Sequence, residues 1–387
     1  MINLTSRKIE PLSNVTVNKG ISRLTENRNL PLPLRSKEIL LVRENLKVLP
    51  EGFKSYFLYN TLENKIKLTA NCFKVDKELG YLAEGDIIRF DPIRRSVRTL
   101  YRLNSNHNFL LVTERCNSYC LMCSQPPKER DDSYLVDELL EVIPLMSRQT
   151  IELAITGGEP TLLGNNLLKL LRSIKNNLPY TSIHILTNGR RFSNLEFTKT
   201  IAKIDHPDLM FGIPLYSDIS NLHDYVVQAD GAYDETIKGI MNLKRLDQKI
   251  ELRVVIHKQT YQRLPQLAEF ITRNLLFVDH IALMGLEMMG FTKPNLSSLW
   301  IDPVDYQDEL VESVKILSDF KMNVSIYNHQ LCLLDPSLYE YSKKSISDWK
   351  NEYMPECEPC TRKDECGGFF SSAKFKYSSN IKPFLQN

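Results

Sequence analysis

From residue 108 to about residue 290, short apolar runs alternate with longer amphipathic ones, and this alternation restricts the fold more than any other feature of the chain. The amphipathic segments, such as 134–146 and 233–246, have the period of helices. The apolar runs have the length of buried strands and lie at 109–113, 151–156, 183–187, 210–215, 251–257 and 280–286. Their starts are about 28–42 residues apart, which is the spacing of βαβ units. We therefore expect an α/β fold in which residues 108–300 form a partial (βα)6 barrel, with chemistry at the carboxyl ends of its strands.

Different patterns flank this domain. Residues 1–35 have no clear periodicity, and we expect a loosely ordered arm there. Residues 36–107 predict a small β-rich domain, because turn residues separate short strand-like runs at 38–43, 55–59, 65–69, 86–90 and 96–101. Residues 301–387 predict a C-terminal extension with a helix at 303–320 and a candidate strand at 323–327.

Charge and hydropathy exclude several classes of protein. Lys and Arg number 49 and Asp and Glu 47, and the resulting net charge of +2 argues against a dedicated nucleic-acid-binding protein. No apolar run is long enough for a transmembrane helix, and residues 1–31 lack the apolar core of a signal peptide. We therefore expect a cytoplasmic protein without a membrane partner.

Eight cysteines are present, and in a reducing compartment clustered cysteines are typical of metal sites or catalytic thiols. Cys72 stands alone and is predicted to be a small buried apolar residue. The other seven form two groups: Cys116, Cys120 and Cys123 near the first predicted strand of the α/β domain, and Cys332, Cys357, Cys360 and Cys366 in the extension.

The first group has the spacing C-x3-C-x2-C and directly follows a predicted strand. Four-iron clusters normally take four cysteine ligands, so three local thiolates leave one iron with an open position. An external ligand with an amine and a carboxylate, such as S-adenosylmethionine (SAM), can chelate that iron. The alternative is a zinc site of three cysteines completed by a histidine, although structural zinc usually has all four positions filled by protein.

Several further motifs end successive predicted strands. Thr156-Gly157-Gly158-Glu159-Pro160 offers close backbone approach and a carboxylate that can accept from an ammonium group, against the alternative of a simple turn before a helix. Asn188, Ser217, Arg253 and Glu287 follow or lie within the later strands. Each of these residues has an alternative role when it is taken alone. An Asn-Gly pair forms a turn, a serine caps a helix and an arginine in a strand lies on a solvated face. Their common position at one rim favours a shared ligand.

These motifs resemble those of the radical SAM superfamily over about residues 108–290. The resemblance implies that Cys116, Cys120 and Cys123 hold a [4Fe–4S] cluster that cleaves SAM. It also implies that Gly157, Gly158 and Glu159 bind the methionine amino group, that Ser217 meets the ribose and that Arg253 meets the carboxylate. Met122 stands where the family often has an aromatic residue near adenine, and we expect an aliphatic contact there. Asn188 and Glu287 complete the candidate cofactor-binding set.

The second group combines C-x2-C-x5-C with an upstream cysteine, and four thiolates suit either a closed zinc site or a four-iron cluster. Its spacing resembles the SPASM and twitch extensions of radical SAM peptide maturases, which implies an auxiliary [4Fe–4S] cluster, with zinc as the alternative. A further cysteine of the full SPASM pattern is replaced by Phe370, which implies one auxiliary cluster and not two.

Three segments resemble the His-Xaa-Ser system radical SAM maturases: 120–128, 345–350 and 366–374. The resemblance implies modification of a ribosomal precursor peptide with His-Xaa-Ser repeats, together with a paired radical SAM protein, a small accessory protein and an electron donor. The alternatives are radical SAM chemistry on a small molecule or an RNA, and a zinc-binding scaffold without catalysis. The bond formed and the target residue do not follow from the sequence.

The sequence is compatible with two roles for each of two sets of polar residues. Five arginines at 89, 94, 95, 98 and 102 are either a docking site for an acidic peptide or a solvated strand face. His223 and His257 are candidate acid–base groups, against the alternative of packing or capping.

Overall fold

The computed structural model describes residues 4–44, 46–59, 68–344 and 351–386. They form an N-terminal β domain, a central α/β domain and a C-terminal extension that carries the second cysteine group. Within this described part, no helix is both long enough and apolar enough to span a bilayer.

The N-terminal domain is built on one mixed sheet. Its strands are β1 (Thr5–Ser6), β2 (Ile9–Pro11), β3 (Gly20–Thr25), β4 (Glu38–Val42), β5 (Ser55–Leu58), β6 (Cys72–Val75), β7 (Ile87–Asp91) and β8 (Ser96–Tyr101). They lie in the order β1-β8-β7-β3-β4-β5-β6-β2. The two edge strands are separated in the chain by residues 7 and 8 alone, so the sheet curls until its edges lie close together. Its apolar cluster includes Phe73 and Phe90, whose ring centres are 4.8 Å apart, and burial of this cluster stabilises the curled sheet.

The expectation of a loosely ordered arm over residues 1–35 is wrong. Strand β3 lies between β4 and β7, and Leu24 within it is fully buried. The strands in this segment are short and pair with distant parts of the chain, so their own sequence carries little periodicity. Strand β6 was not predicted, and of the predicted run 65–69 residues 65–67 lie outside the described residues while 68 and 69 are not in a strand. Burial of Cys72 is confirmed.

The central domain contains seven parallel strands hydrogen-bonded in chain order. They are β9 (His107–Thr113), β10 (Glu152–Gly157), β11 (Ser182–Leu186), β12 (Leu209–Pro214), β13 (Lys249–Ile256), β14 (His280–Gly285) and β15 (Val324–Tyr327). The described α-helices are α1 (Leu32–Arg35) in the N-terminal domain and then α2 (Tyr134–Val142), α3 (Asn165–Asn177), α4 (Leu195–Ala202), α5 (Ser220–Val227), α6 (Ala232–Arg245), α7 (Leu264–Asn274), α8 (Leu296–Leu299) and α9 (Gln307–Asp319).

The α/β class, the parallel sheet and the six predicted strands are confirmed. Strand β15, treated as a candidate from the sequence, extends the sheet to a seventh strand, and Val324 pairs with Ile281 of β14. Helix α9 is the crossover that returns the chain to this edge, because parallel neighbours need such a connection. The domain boundary at residue 300 and the count of six strands are therefore corrected: the sheet extends to Tyr327.

One face of the central sheet packs against the helices. Ile155, Ile185, Phe211 and Leu252 are fully buried on this face. Helix α3 contributes an apolar stripe with the helical period, Leu167, Leu171 and Ile174. The other face carries more polar residues and surrounds a cavity described below.

Two of the five arginines attach the N-terminal domain to helix α2. Arg89 Nη1 lies 2.7 Å from Glu138 Oε1, and Arg98 pairs with the other carboxylate oxygen. The Glu138 side chain is 2% exposed, so this ion pair lies inside the domain interface. Arg89 and Arg98 thus hold two domains together, a role that neither interpretation of the sequence included.

The C-terminal extension has little regular structure. Strands β16 (Asn351–Glu352) and β17 (Phe369–Phe370) pair antiparallel, and short 3-10 turns cover most of the remainder. The motif at 345–350 lies outside the described residues.

Candidate functional site

The first cysteine group lies on a loop that leaves strand β9 and closes on itself. At its base, the Lys128 amide donates to the Glu114 carbonyl at 2.9 Å, and the Lys128 ammonium contacts the Glu114 carboxylate at 2.6 Å. Asp132 is fully buried and accepts from the Thr113 hydroxyl and from the Glu114 amide, at 2.8 and 2.5 Å. The sequence does not reveal Asp132, because a carboxylate that holds the base of a loop has no motif.

Neighbouring elements fix the middle of this loop. Amides of Tyr119 and Leu121 donate to carbonyls at the end of helix α5, at 3.0 and 2.9 Å. The Asn295 side chain donates to the Leu121 carbonyl at 2.9 Å, and the Phe291 amide donates to the Cys123 carbonyl at 2.8 Å. Hydrogen bonds to the loop backbone on both sides of the cysteines therefore set the loop conformation, and these bonds join protein atoms only.

All three cysteines line one cavity of about 290 Å³ at the carboxyl ends of the strands. Of the residues predicted to bind the cofactor, the lining includes Met122, Gly157, Gly158, Asn188, Arg253 and Glu287. Burial raises the pKa of the Cys116 thiol to about 11 and that of Cys120 to about 12, and also raises the pKa of Cys123. The thiols are thus protonated at neutral pH in the metal-free protein, and metal binding there releases protons.

Gly157 and Gly158 are required by the packing of the cysteine loop. A Cβ on Gly157 would lie 2.1 Å from the Thr113 carbonyl oxygen, and one on Gly158 would lie 2.1 Å from that of Arg115. Gly157 also has φ of +154°, a conformation that favours glycine. The two glycines therefore allow strand β10 to lie directly against the start of the cysteine loop, and their backbone also borders the cavity.

Glu159 is not among the residues that line the cavity, and its carboxylate is hydrogen-bonded within the protein. The residue is fully buried, and its carboxylate accepts from the Thr161 amide and hydroxyl, the Thr187 hydroxyl and the Asn188 amide, at 2.9, 2.6, 2.7 and 2.6 Å. Glu159 is thus a positioning residue that connects the end of β10 to the end of β11.

Asn188 and Arg253 are held by side-chain contacts at the wall of the cavity. Asn188 Nδ2 donates to Asn117 Oδ1 at 2.7 Å, which connects the end of β11 to the cysteine loop. Arg253 Nη1 donates to Glu251 Oε1 at 2.7 Å, and Nη2 lies 3.3 Å from the Met284 sulfur. Arg253 therefore stands at the boundary between this cavity and a second one below it.

Ser217 is likewise not among the residues that line the cavity. Its side chain is fully buried, and its hydroxyl accepts from the Ile219 amide at 3.0 Å in a turn before helix α5. The neighbouring residue Tyr216 lines the cavity instead, a position that sequence analysis missed. His223 packs against the Tyr216 ring with centres 5.8 Å apart and accepts from the Tyr216 amide, so it supports Tyr216. His223 and His257 are both buried and line neither cavity of the central domain.

A second cavity of about 620 Å³ lies on the inner face of the sheet. Its lining includes side chains from every strand from β9 to β15, so the sheet curves around it. We call this cavity the lumen. It shares Arg253, Met284, Glu287 and Asn328 with the cavity at the cysteine loop, so the two are neighbours.

Asn328, another residue missed from the sequence, follows strand β15 in a left-handed conformation with φ of +60°. A Cβ on Gly285 would lie 2.5 Å from the Asn328 carbonyl oxygen, so Gly285 is needed for contact between the ends of β14 and β15. Asn328 and Glu287 also line a groove between the central domain and the extension, together with Trp300, Gly368 and Phe370.

The four cysteines of the second group line one small recess in the extension, together with Tyr353, Lys363 and residues 381–384. The Leu331 and Gly368 amides each donate to Cys366 Sγ at 3.5 Å. The chain end forms part of the wall: the Thr361 amide donates to the Phe384 carbonyl at 2.8 Å, and the Arg362 guanidinium lies 5.0 Å from the centre of the Phe384 ring.

Both donor sets suit iron–sulfur chemistry. In the first, three thiols and an open space beside them match a cluster with one iron left for an external ligand. In the second, four thiols match a fully protein-bound cluster or a zinc ion. Within the described residues, no three His, Cys, Asp or Glu side chains converge on a single-ion position.

Comparison with known proteins finds relatives of the central domain. Residues 110–271 match the model of the Radical SAM superfamily. A GTP 3′,8-cyclase of Campylobacter jejuni is 26% identical over 253 residues, which cover 61% of this chain and 74% of that protein. A GTP 3′,8-cyclase of Desulforamulus reducens is 33% identical over 100 residues, and this match spans 24% of the chain and 30% of that relative's length.

Two solved structures are similar to this chain in fold. SuiB of Streptococcus suis, bound to S-adenosylmethionine, has 18% identity and a TM-score of 0.48, and the match covers 64% of this chain and 55% of SuiB. The protein anSMEcpe with bound AdoMet and a Cp18Cys peptide has 14% identity and a TM-score of 0.44, over 56% of this chain and 62% of that one.

Proposed function

We propose, from the radical SAM domain that this chain carries at residues 110–271, that the protein cleaves SAM and uses the resulting radical to modify a ribosomally made peptide. One observation carries the first part of this proposal. The three cysteines of a C-x3-C-x2-C loop line a single cavity at the carboxyl ends of parallel strands, where α/β proteins place their chemistry.

Cys116, Cys120 and Cys123 would hold a [4Fe–4S] cluster, with SAM bound at the iron that lacks a cysteine. When bound, such a cluster supplies the electron that breaks a carbon–sulfur bond of SAM and yields a 5′-deoxyadenosyl radical. The residues of this chain position the cofactor and exclude water. Asn188 and the backbone of Gly157 and Gly158 border the cavity, and the buried side chains of Met122 and Tyr216 form its apolar wall.

Arg253 and Glu287 carry the charges at the lower side of this cavity. Arg253 is a suitable partner for the SAM carboxylate, since a guanidinium pairs well with a carboxylate. Its ion pair with Glu251 orients the guanidinium before SAM binds. Glu287 lines the cavity, the lumen and the groove, so it is the residue best placed to contact both SAM and a second substrate.

The groove supports a peptide as that second substrate. It extends from Glu287 and Asn328 along the interface between the central domain and the extension, and Trp300, Tyr306 and Phe370 line it with aromatic surface. A groove that shares Glu287 with the cavity at the cysteine loop is a suitable place for part of a peptide chain. Together with the sequence resemblance, it favours a precursor with His-Xaa-Ser repeats, acted on with a paired radical SAM protein, a small accessory protein and an electron donor.

The second cysteine group is proposed to hold an auxiliary [4Fe–4S] cluster, with zinc as the alternative. All four positions are filled by cysteine and the recess is walled by residues 381–384, so substrate has no ligand position there. We infer that this site supports the extension and its electrostatics, and does not bind the peptide directly.

A second candidate substrate is a purine nucleotide, because GTP 3′,8-cyclases are among the relatives. The charge of the lumen opposes this candidate. Its lining includes the carboxylates of Glu152, Asp208, Glu251 and Glu287 but a single guanidinium, Arg253. A triphosphate needs cationic partners, and the one guanidinium of this lining already pairs with Glu251.

The test uses protein reconstituted with iron and sulfide without oxygen, then reduced in the presence of SAM. The proposal expects 5′-deoxyadenosine formation that rises when a synthetic peptide with His-Xaa-Ser repeats is added, together with a mass change in the peptide. Stimulation by GTP and not by the peptide would favour the nucleotide candidate. Absence of 5′-deoxyadenosine from fully reconstituted protein would contradict radical SAM activity itself.

A further inference from the structure

A guanidinium group holds the part of the first cysteine motif that contains no cysteine. Arg190 follows the turn after strand β11, and its Nη1 donates to the Asn117 carbonyl and, at 3.1 Å, to the Ser118 hydroxyl oxygen. Both acceptors lie in the three-residue spacer between the first two cysteines of C-x3-C-x2-C. Arg190 thus contacts this spacer through a backbone acceptor and a side-chain acceptor.

The burial of this guanidinium shows that the contacts are part of the packed structure. The Arg190 side chain is 13% exposed, and Ser118 is 2% exposed. Arg190 Nε donates to Glu235 Oε2 of helix α6 at 2.6 Å. A buried charge is costly unless it is paired and hydrogen-bonded, and Glu235 provides that pairing. The guanidinium therefore joins helix α6 to the spacer of the cysteine motif.

Helix α6 packs directly on the turn that precedes Arg190. A Cβ on Gly239 of this helix would lie 2.3 Å from the Gly189 carbonyl oxygen, so the contact requires a glycine in the helix. The Thr236 hydroxyl donates to the Asn188 carbonyl at 3.1 Å. Close packing and a hydrogen bond thus fix the turn on the helix, and the Arg190 side chain extends from a fixed backbone.

The Arg190 charge acts on the cysteines that flank the spacer. Ser118 is two residues from Cys116 and two from Cys120, so its Cα lies within about 8 Å of theirs. Burial is the main reason that the pKa of the Cys120 thiol is raised to about 12, and the Arg190 charge opposes this rise. Because an arginine stays charged at all ordinary pH values, the first site has a permanent positive charge near its thiols.

We propose that Arg190 is a positioning residue of the first metal site: it fastens the spacer of the cysteine motif to helix α6 and keeps a fixed positive charge beside the iron–sulfur cluster. Reduction adds a negative charge to a cluster, so a nearby positive charge favours the reduced state and raises the reduction potential. The effect on the cluster rests on the proposed function. The fastening of the spacer does not, because its hydrogen bonds join protein atoms only.

Arg190→Gln removes the charge and the ion pair with Glu235. In reconstituted protein, the first cluster is identified by the change that SAM produces in its electron paramagnetic resonance signal. The variant is expected to lose this signal to an iron chelator at least about tenfold faster than the wild type, as for the loss of hydrogen bonds to a charged group. Its midpoint potential, from a redox titration of the same signal, is expected to be lower.

Arg191→Gln is the matched control, because it removes the same charge from the next residue. Arg191 donates to the Thr161 carbonyl, and its guanidinium carbon lies 4.5 Å from the centre of the Phe197 ring, so these contacts are outside the cysteine loop. Arg191 is also exposed, so water and salt screen its charge. This variant is expected to release iron at the wild-type rate and to have nearly the wild-type potential.

Two more variants separate the charge from the hydrogen bonds. Arg190→Lys keeps the charge but has one nitrogen in place of Nη1 and Nε, so iron release is expected to be faster while the potential stays near that of the wild type. Glu235→Gln keeps the guanidinium but removes the opposing charge, so the potential is expected to rise. Potentials that shift in the same direction in Arg190→Gln and Glu235→Gln would contradict the role of the charge.

Hydrogen exchange of the metal-free chain tests the fastening of the spacer by itself. The amides of residues 117–121 are expected to exchange at least about tenfold faster in Arg190→Gln than in the wild type or in Arg191→Gln. Residues 357–366 are the internal reference and should exchange equally in all three proteins. Thermal unfolding of each variant checks that it folds.

Equal exchange of residues 117–121 in the wild type and Arg190→Gln overturns the inference, and so does equal iron release. Failure of the proposed function is a separate result. A wild type that binds no iron at the first site contradicts the proposed function, whereas faster exchange of residues 117–121 in Arg190→Gln supports the fastening even then.

Discussion

The two cysteine groups are held in place in different ways. The first lies on a loop anchored by backbone hydrogen bonds to helix α5 and to residues 291–295, with Asp132 and Glu114 at its base. The second lies on short turns of the extension, where the Cys357, Cys360 and Cys366 amides bond to carbonyls within their own turns. The first loop is ordered by the fold around it, whereas the second depends more on what its thiols bind.

This difference indicates how each site would respond to loss of metal. A loop with many protein partners retains its shape when empty, so its cofactor can be used for chemistry that requires an open position. A group of cysteine ligands in a segment with little secondary structure gains much of its stability from the metal, as in other small metal-stabilised domains. Four experiments test whether the two sites differ in this way.

Cys120→Ala and Cys360→Ala should separate the two sites most strongly. Cys120→Ala removes one of three ligands of the first site and is expected to abolish 5′-deoxyadenosine formation. Cys360→Ala is expected to leave SAM cleavage by the first site in place but to lower the thermal stability of the extension. Iron, sulfide and zinc contents are measured together with activity. About eight irons per wild-type chain would indicate two clusters. About four irons with one zinc would indicate a zinc site in the extension. SAM cleavage by Cys120→Ala would contradict the assignment of the first site.

Glu159→Gln tests whether the rim of the cavity is ordered by the fold. The amide group of Gln would place a donor against N–H and O–H donors, so at least one of the four hydrogen bonds would be lost. The expected cost is about 1–3 kcal/mol in the free energy of unfolding, together with weaker SAM binding. Chemical denaturation and SAM titration measure the two effects. Glu196→Gln, an exposed carboxylate on helix α4, is the control and should change neither.

Phe384→Ala tests the wall of the second site. The Phe384 ring contacts Arg362 and Tyr339, so its loss is expected to open the recess and to speed metal release to a chelator several-fold. The neighbouring Leu385 is 63% exposed, so Leu385→Ala is the matched control. Identical release rates for the two variants would show that the chain end does not protect the cysteines.

Ser217→Ala should have the smallest effect. The hydroxyl bonds the Ile219 amide and does not reach the cavity, so SAM affinity is expected to stay within about twofold, while stability falls by roughly 0.5–1.5 kcal/mol. Asn188→Ala, whose side chain lines the cavity, should weaken SAM binding more. If the order of the two affinities were reversed, the assignment of Ser217 to the turn would be wrong.

Sequence patterns predicted the parts of the molecule that depend on local periodicity. Six strands of the central sheet follow from runs rich in apolar residues, because one face of each strand packs against the helices. The arm at residues 1–35 could not be recognised as sheet, because β3 is defined by partners in β4 and β7 and not by its own pattern. Strand β15 was ambiguous for the same reason, as a short segment at the edge of its sheet.

The candidate site divides in a similar way. Cys116, Gly157 and Asn188 could be found from motifs, because each lies in a short motif at the carboxyl end of a predicted strand, and all three line the cavity. The sequence shows Glu159 and Ser217 as polar residues at strand ends. The direction in which their side chains point depends on hydrogen-bond donors from other segments, such as the Thr187 hydroxyl for Glu159. The contact of His184 with Gly212 could not be found at all, since it joins two strands that are distant in the chain.

The position of strand β15 also has a consequence for the order of assembly. Cys332 follows this strand by five residues, and the strand pairs with β14, which itself completes the six-stranded part of the sheet. As the chain leaves the ribosome, the first cysteine loop and the strands that frame it emerge long before Cys357 and Cys366. Every strand of the central sheet has therefore been synthesised before the four thiols of the second group can come together.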